Sequence, residues 1–402
     1  MIMKRFSILF ICAFIIFSES FAQSVPYLKP DKDLLKTIKN NMKDADAQYH
    51  VIMQRLPADE FPRTYHPDTD KPENSKSDWW CSGFYPGTLV NLYEQTGDKA
   101  LLDEAKRKLH VLAKEQYNKG THDLGFMMYC SFGTANKLKQ DTAYQHILVN
   151  SAKSLSTRFN PKVGCIKSWD RGPNDFTVII DNMMNLELLF WATKSTGDSS
   201  FYKIAVTHAN TTMKNHYRPD HSSYHVINYD PETGAVKEKK TVQGYANESA
   251  WARGQVWGLY GFTVMYRETK DKKYLDQANA IANFVLTNPN MPADKIPYWD
   301  FNAPNIPDAL RDASAGAILA SGLLELCRYT DEATAKKYFS TAETILRTLS
   351  NNHYLAKPGT NGGFILEHSV GHFPAHSEVD TPVSYADYYF VEAMKRYEGF
   401  GK

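Results

Sequence analysis

The residues best suited to chemistry stand at the entries to apolar, helix-forming segments. Asp123 lies in Thr121-His-Asp-Leu-Gly-Phe126, and Asp181 lies in Ile180-Asp-Asn-Met-Met-Asn185. Either aspartate alone fits a helix N-cap, where a short acceptor satisfies a backbone N–H that the helix leaves unpaired. Facing one pocket beside His122, Trp169 and Arg253, they fit a carboxylate pair for acid–base chemistry. Arg253 opens the apolar segment Glu248-Ser-Ala-Trp-Ala-Arg-Gly-Gln-Val-Trp257, where an unpaired guanidinium is costly. A carboxylated sugar stacked on tryptophan would supply its partner, and Trp80, Trp169 and Trp257 occupy similar entries, with core packing as their other use. Metal chemistry is the rival. His216, His221 and His225 cluster, and His368, His372 and His376 recur every fourth residue. Gly371 and Pro374 break the second group as a helix face, and there is no His-Glu-x-x-His, so no metal site is expected. No nucleophile elbow, Walker A loop or dinucleotide fingerprint occurs at a strand–helix junction.

The elements that position these residues follow from one recurring phrase: a helix end, a short Thr/Gly/Asp turn, then an Ala-containing helix. It reads Leu92-Tyr-Glu-Gln-Thr-Gly-Asp98, Ala135-Asn-Lys-Leu-Lys-Gln-Asp141, Trp191-Ala-Thr-Lys-Ser-Thr-Gly-Asp198, Met265-Tyr-Arg-Glu-Thr-Lys-Asp271 and Leu326-Cys-Arg-Tyr-Thr-Asp331. In each, an aspartate is placed to N-cap the following helix. One helical hairpin per unit predicts a helical array. The helices before the turns should begin near Gly83, Asp123, Asp181, Glu248 and Asp308, and those after them cover 99–116, 143–158, 200–215, 273–286 and 333–351. Segments 32–56 and 384–397 remain unpaired. If these two pack together, the array closes into six hairpins, an all-α (α/α)6 toroid. The helices after the turns alternate polar and apolar faces and should form the outer ring. Those before the turns are apolar almost all round, as in Met183-Met-Asn-Leu-Glu-Leu-Leu-Phe-Trp191, and should line the inside. A pocket then belongs at the N-terminal ends of the inner helices, where the loaded motifs collect.

Composition agrees and narrows the classes. The chain has 402 residues, a formal net charge of +1 and 43% hydrophobic residues, enough for a full core and not the signature of disorder. Near-zero charge lacks the footprint of a nucleic-acid binder. Lys4 and Arg5, the apolar run Phe6–Phe17 and the small-residue stretch ending at Ala22 read as a signal peptide over 1–22, leaving 23–402 as one catalytic domain. The expected location is outside the cytoplasm, in the periplasm or secreted, with no membrane attachment after cleavage. Cys12 sits inside the apolar run, so lipoprotein processing there is disfavoured. Cys81, Cys130, Cys165 and Cys327 show no CxxC or zinc spacing and are expected as isolated core thiols.

The motifs 121–126, 181–186, Ser249-Ala-Trp-Ala-Arg-Gly-Gln-Val-Trp-Gly-Leu-Tyr-Gly-Phe262 and Tyr385-Ala-Asp-Tyr-Tyr-Phe390 resemble, in this order, glycoside hydrolase family 88, the unsaturated glucuronyl hydrolases. The family's fold is an (α/α)6 barrel, in agreement with the hairpin count. The resemblance implies that Asp181 is the acid/base and Asp123 the second essential carboxylate. It also implies that Trp169, His225, Gln243, Arg253 and Trp257 contact substrate; His122 and Trp80 are expected to join them from their places at the inner-helix starts. His225 and Gln243 stand in shorter motifs, 222–225 and 241–244, and the 368–381 loop belongs to the region that selects sugar substituents. The implied substrates are lyase-generated glycosaminoglycan oligosaccharides ending in a 4,5-unsaturated uronate. Hydration of the C4=C5 enol ether would release the neighbouring sugar, without cofactor and with a monomer expected. Family 105, acting on unsaturated galacturonyl–rhamnose, is the nearest alternative, and the Ser-Ala-Trp-Ala-Arg-Gly-Gln segment favours family 88. A polysaccharide lyase on the same toroid and a non-catalytic glycan-binding repeat protein are the readings from other classes.

Overall fold

The computed structural model describes residues 25–401; the expected signal segment, with Cys12, lies outside them. Twelve α-helices follow in order: α1 (Lys32–Arg55), α2 (Phe84–Thr96), α3 (Lys99–Leu112), α4 (Thr134–Leu138), α5 (Thr142–Ser156) and α6 (Leu186–Thr196), then α7 (Ser199–Asn215), α8 (Ala252–Thr269), α9 (Lys272–Thr287), α10 (Ala313–Leu326), α11 (Glu332–Leu349) and α12 (Ser384–Glu398). A π-helical stretch, Gly125–Gly133, leads into α4, and a 3-10 segment, Ile180–Asn185, leads into α6.

Each turn aspartate caps the helix that follows it. Asp98, Asp141, Asp198, Asp271 and Asp331 accept from backbone N–H groups at the starts of α3, α5, α7, α9 and α11. Asp31 does the same for α1 through Leu34 N–H, so α1 is the sixth outer helix. Such a cap contributes about 0.5–2 kcal/mol, and here it also sets where each outer helix begins. Gly97 and Gly197 end α2 and α6 in the left-handed region, at φ 77° in both, where a residue with a Cβ would be strained.

Burial along the inner ring is deepest in two helices: every residue of α10 is buried, as are fourteen of the eighteen residues of α8, from Ala252 through Met265. The inner helices touch in sequence around a closed ring, α2, the 125–138 helix, α6, α8, α10, α12 and back to α2. The two unpaired segments complete the toroid as expected. Tyr397 Oη on α12 accepts from Asp31 N–H, Tyr49 on α1 donates to Asp387, and Asn41 on α1 donates to Ser350 after α11. Cys81, Cys165 and Cys327 are buried free thiols and Cys130 is half-buried, as expected. No helix among the described residues is long and apolar enough to cross a membrane.

Two features depart from the sequence reading. The fifth inner helix starts at Ala313, capped by Asp312 rather than near Asp308. The connections also hold short antiparallel strands: Phe61–His66 with Lys71–Ser75, Phe159–Asn160 with Cys165–Ile166, and Ser369–His372 with Ser377–Thr381, besides a three-stranded sheet of Phe176–Ile179, Val226–Tyr229 and Val236–Lys240. These lie on paths from an outer to an inner helix, so they gather at the N-terminal ends of the inner ring. At the opposite end, a network of Glu187, Arg267, Glu325 and Arg396 ties α6, α8, α10 and α12 together, with Arg267 between Glu187 (2.5 Å) and Glu325 (2.9 Å). Charge pairing therefore braces one end of the ring, while hairpins build up the other.

Candidate active site

Asp123 and Asp181 line one cavity of about 350 Å³ at that hairpin-bearing end. Neither is a helix cap. Asp123 precedes the π-helical stretch and is held by Asn185 Nδ2 and Thr121 Oγ1, each 3.4 Å away. Asp181 lies in the first turn of the 3-10 segment, and its Oδ2 is buried without a hydrogen-bond partner. The two motifs meet at Gly125. A Cβ there would fall 2.4 Å from Asn185 Cα, so only glycine lets the Asp123 and Asp181 segments approach this closely. Asn185 closes the joint: its Oδ1 accepts from Phe126 N–H at 2.9 Å while its amide faces Asp123.

Burial dominates the electrostatics. It pushes both carboxyls up to about 7; for Asp181 the Arg253 charge opposes the rise and the Asp123 charge adds to it. Two buried, neutral histidines then distinguish the pair. His122 Nδ1 is 3.0 Å from the Ser168 carbonyl and must donate to it, so Nε2, 3.2 Å from Asp123 Oδ1, presents a lone pair. His225 is in the other tautomer. Its Nδ1 accepts from Gln243 N–H at 3.3 Å, so Nε2 carries the proton and lies 3.6 Å from Asp181 Oδ2. Burial holds the His122 ring down at about 3 and the His225 ring well below its ordinary value, so neither brings a charge. A lone pair beside Asp123 favours its protonated form, and an N–H beside Asp181 favours its carboxylate. Neither ring nitrogen makes an aligned hydrogen bond yet, so both remain able to respond to substrate.

The walls are aromatic and cationic. Trp80, Trp169, Gln243, Arg253 and His122 line the cavity as expected. His225 and Trp257 do not. His225 is fully buried behind Trp169, its ring edge-on to that indole at 5.7 Å. Trp257 packs between Phe126 and Tyr389, and its indole N–H lies on the Asp181 side, favouring the charged carboxylate. Both act on the carboxyls from behind instead of lining the pocket. The Arg253 expectation needs a larger correction. Its Nη1 donates to Asp312 (3.1 Å) and to Val370 O (2.5 Å), and its Nη2 donates to Gln243 Oε1 (3.2 Å) and to Gly371 O (2.6 Å). The guanidinium also stacks on Trp251 and Tyr385. The protein itself supplies the partners that a sugar carboxylate was expected to provide.

Sequence reasoning missed Arg63, Trp79, His372, Glu378 and Tyr385 on the same walls. Tyr385 was within reach, because it opens the 385–390 motif. Arg63 and Glu378 carry no local signal: they come from two different hairpins and meet at 2.6 Å, with Arg63 also stacked on Trp79. Glu378 sits against Gly371, where a Cβ would lie 2.2 Å from its Oε2.

Comparison with known proteins gives the family of the chain. The family model for Glycosyl Hydrolase Family 88 matches residues 54–402. An unsaturated glucuronyl hydrolase of Formosa agariphila is 48% identical over 342 residues, covering 84% of this chain and 85% of that protein. An unsaturated chondroitin disaccharide hydrolase of Streptococcus pneumoniae is 34% identical, covering 79% and 81%. The crystal structure of an unsaturated glucuronyl hydrolase specific for heparin superposes with a TM-score of 0.88 at 51% identity, covering 90% of this chain and 97% of that one. A toroid carrying two buried carboxyls on these motifs, matched over nearly its whole length, belongs to glycosyl hydrolase family 88.

Proposed function

We propose that the protein removes the 4,5-unsaturated uronate from the non-reducing end of lyase-generated glycosaminoglycan oligosaccharides, and that it does so outside the cytoplasm after cleavage of 1–22. The observation that carries the reading is the pair of buried carboxyls, both raised to about 7 and each facing a histidine of opposite tautomer. The names of the relatives supply the substrate class.

The C4=C5 bond of such a uronate is an enol ether. Protonated Asp181 gives its proton to C4, and the cationic character that develops at C5 is shared with the ring oxygen. As Asp181 becomes a carboxylate, the His225 Nε2–H is placed to receive that charge. Water adds to C5 and returns a proton to Asp181. The resulting hemiketal opens to the C5 ketone, and the hemiacetal left at C1 collapses, releasing the neighbouring sugar as an alcohol. Bond cleavage follows hydration and is not displacement at C1, so the two-carboxylate spacing rule of ordinary glycosidases has no bearing. Asp123, raised to about 7 by burial, is protonated on the acid side of that pH and can there donate to a ring hydroxyl without repelling the substrate carboxylate; as pH rises through about 7 it ionises beside Asp181.

Ultraviolet absorbance of the conjugated alkene tests the reaction class. Added to an unsaturated chondroitin disaccharide, the protein should make the signal fall; added to intact polymer, it should leave absorbance flat. A rise on polymer would mean a lyase, and no change on either a binding protein. The pH profile tests the acid. Because Asp181 must start protonated, kcat/KM should be full on the acid side and fall as pH rises through about 7. Asp123→Asn removes a charge that raises Asp181, so in its residual activity this limb should move down. Burial remains the larger cause, so the limb should stay above the ordinary carboxylate range. An alkaline limb near 4 in the wild-type enzyme would contradict the buried acid.

A further inference from the structure

Arg158 forms no part of the active-site walls, yet its side chain grips two of the segments that build them. It follows the end of α5, just before the strand Phe159–Asn160, and its side chain is 6% exposed. Nε donates to Lys167 O at 2.8 Å and Nη2 to Ser168 O at 3.1 Å. Nη1 donates to Lys119 O at 2.7 Å and to Asp170 Oδ2 at 3.1 Å. The backbone joins in, because Arg158 O accepts from Lys167 N–H at 2.9 Å. One planar, rigid fork therefore spans both segments, a task suited to a guanidinium and not to a flexible point charge.

The segments it joins carry active-site residues. Residues 118–122 bring His122 to Asp123, and residues 167–170 carry Trp169 into the cavity wall. The first segment has no helix or strand of its own. Among the described residues, two hydrogen bonds tie it to distant parts of the chain: Arg158 to Lys119 O, and His122 Nδ1 to Ser168 O. Both meet at Arg158, which also holds Ser168 O. The guanidinium thus registers the His122 donor against its acceptor. Without it, the bond that fixes the His122 tautomer would also have to fix the segment that bears His122. A ring that slipped from Ser168 O could carry its proton on Nε2 and turn an N–H toward Asp123. That would favour the Asp123 carboxylate, which repels the substrate's own. The Arg158 charge adds to burial in keeping His122 neutral. Trp169 is steadied by the same group, since Ser168 and Asp170 on either side of it both bond to Arg158.

We propose that Arg158 is a positioning residue for the hydration reaction: without touching substrate, it holds His122 in the tautomer that presents a lone pair to Asp123. The proposal rests on the function proposed above, and one of its two readouts needs no activity. Arg158→Lys is the informative change, because it keeps the charge and loses the planar fork. Nitrogen NMR spectra of the imidazole rings, with His122 assigned by its disappearance in His122→Asn, should show the wild-type proton on Nδ1. In Arg158→Lys a population with the proton on Nε2 should appear. For an unsaturated chondroitin disaccharide, kcat/KM should fall about ten- to hundredfold, the scale of a misplacement of about 1 Å, at a temperature where circular dichroism shows the variant folded. Arg158→Met, which also loses the charge, should be impaired no less. An arginine that served the fold alone would lower the melting temperature and leave the His122 spectrum and the kcat/KM of folded protein unchanged. That result overturns the proposal, as does a change in only one of the two readouts, or failure of both variants to fold. If the wild-type protein hydrolyses no unsaturated disaccharide, the proposed function falls, while the spectrum still reports whether Arg158 sets the tautomer.

Discussion

Asp181→Asn should reduce turnover by at least the ~10²–10⁴-fold typical of an acid–base residue, with fold and substrate binding retained. The amide has the shape of the carboxyl but cannot deliver a proton to C4 or accept one from water. It can still turn its oxygen toward the His225 Nε2–H, so no donor need face a donor. Stability separates this from general damage. Asp181 is buried and its pKa is raised to about 7, so the native state binds its proton more tightly than the unfolded chain does. The stability this group contributes is present at low pH and is lost as pH rises through about 7. Above that pH the wild-type protein must hold a buried carboxylate and the variant need not. Thermal unfolding at pH 8 should therefore show Asp181→Asn to be at least as stable as wild type, although inactive. Near-wild-type hydrolysis by the verified variant would remove Asp181 from the chemistry, and a lower midpoint at pH 8 would show a structural role that the orphaned Oδ2 does not indicate.

What the sequence disclosed and what it withheld divide by range. The turn aspartates could be read because a cap is a local device, an acceptor followed two or three residues later by a free N–H, and each does cap its helix. The carboxylate pair was readable from the apolar context of 121–126 and 180–185, although the glycine contact that brings the two segments together was not. Arg63 and Glu378 escaped because their meeting depends on two hairpins more than three hundred residues apart. The hairpins themselves escaped because strands of two to six residues leave too short a pattern to compete with the long helical repeats. The histidines show the limit most plainly. As residue types, His122 and His225 are alike; what makes one an acceptor and the other a donor is the Ser168 carbonyl in one case and the Gln243 N–H in the other. Backbone groups of distant residues, which no side-chain pattern encodes, decide the chemistry.

Arg253→Met should destabilise the protein by about 3–5 kcal/mol, because it leaves Asp312 buried without its counter-charge. Methionine keeps much of the volume and its stacking against Trp251 and Tyr385, so the change isolates charge and hydrogen bonds from packing. Adding Asp312→Asn should restore part of the loss. The amide oxygen can still cap α10 at Ser314, and no charge is then left unpaired; the Val370 and Gly371 carbonyls still lack their donor, so recovery should stop short of wild type. The pH profile gives a second, independent readout. The Arg253 charge is the main influence opposing the rise in the Asp181 pKa, so its removal should move the alkaline limb of kcat/KM above 7. A simple clamp on the sugar carboxylate would behave in the opposite way, with stability unchanged, no rescue by Asp312→Asn, and KM raised. Urea unfolding of the single and double variants, with the pH profile of whichever retains activity, decides between them. Unchanged stability in Arg253→Met would mean that its bonds to Asp312, Val370 and Gly371 do not hold the site together, and the guanidinium would return to the role of substrate ligand.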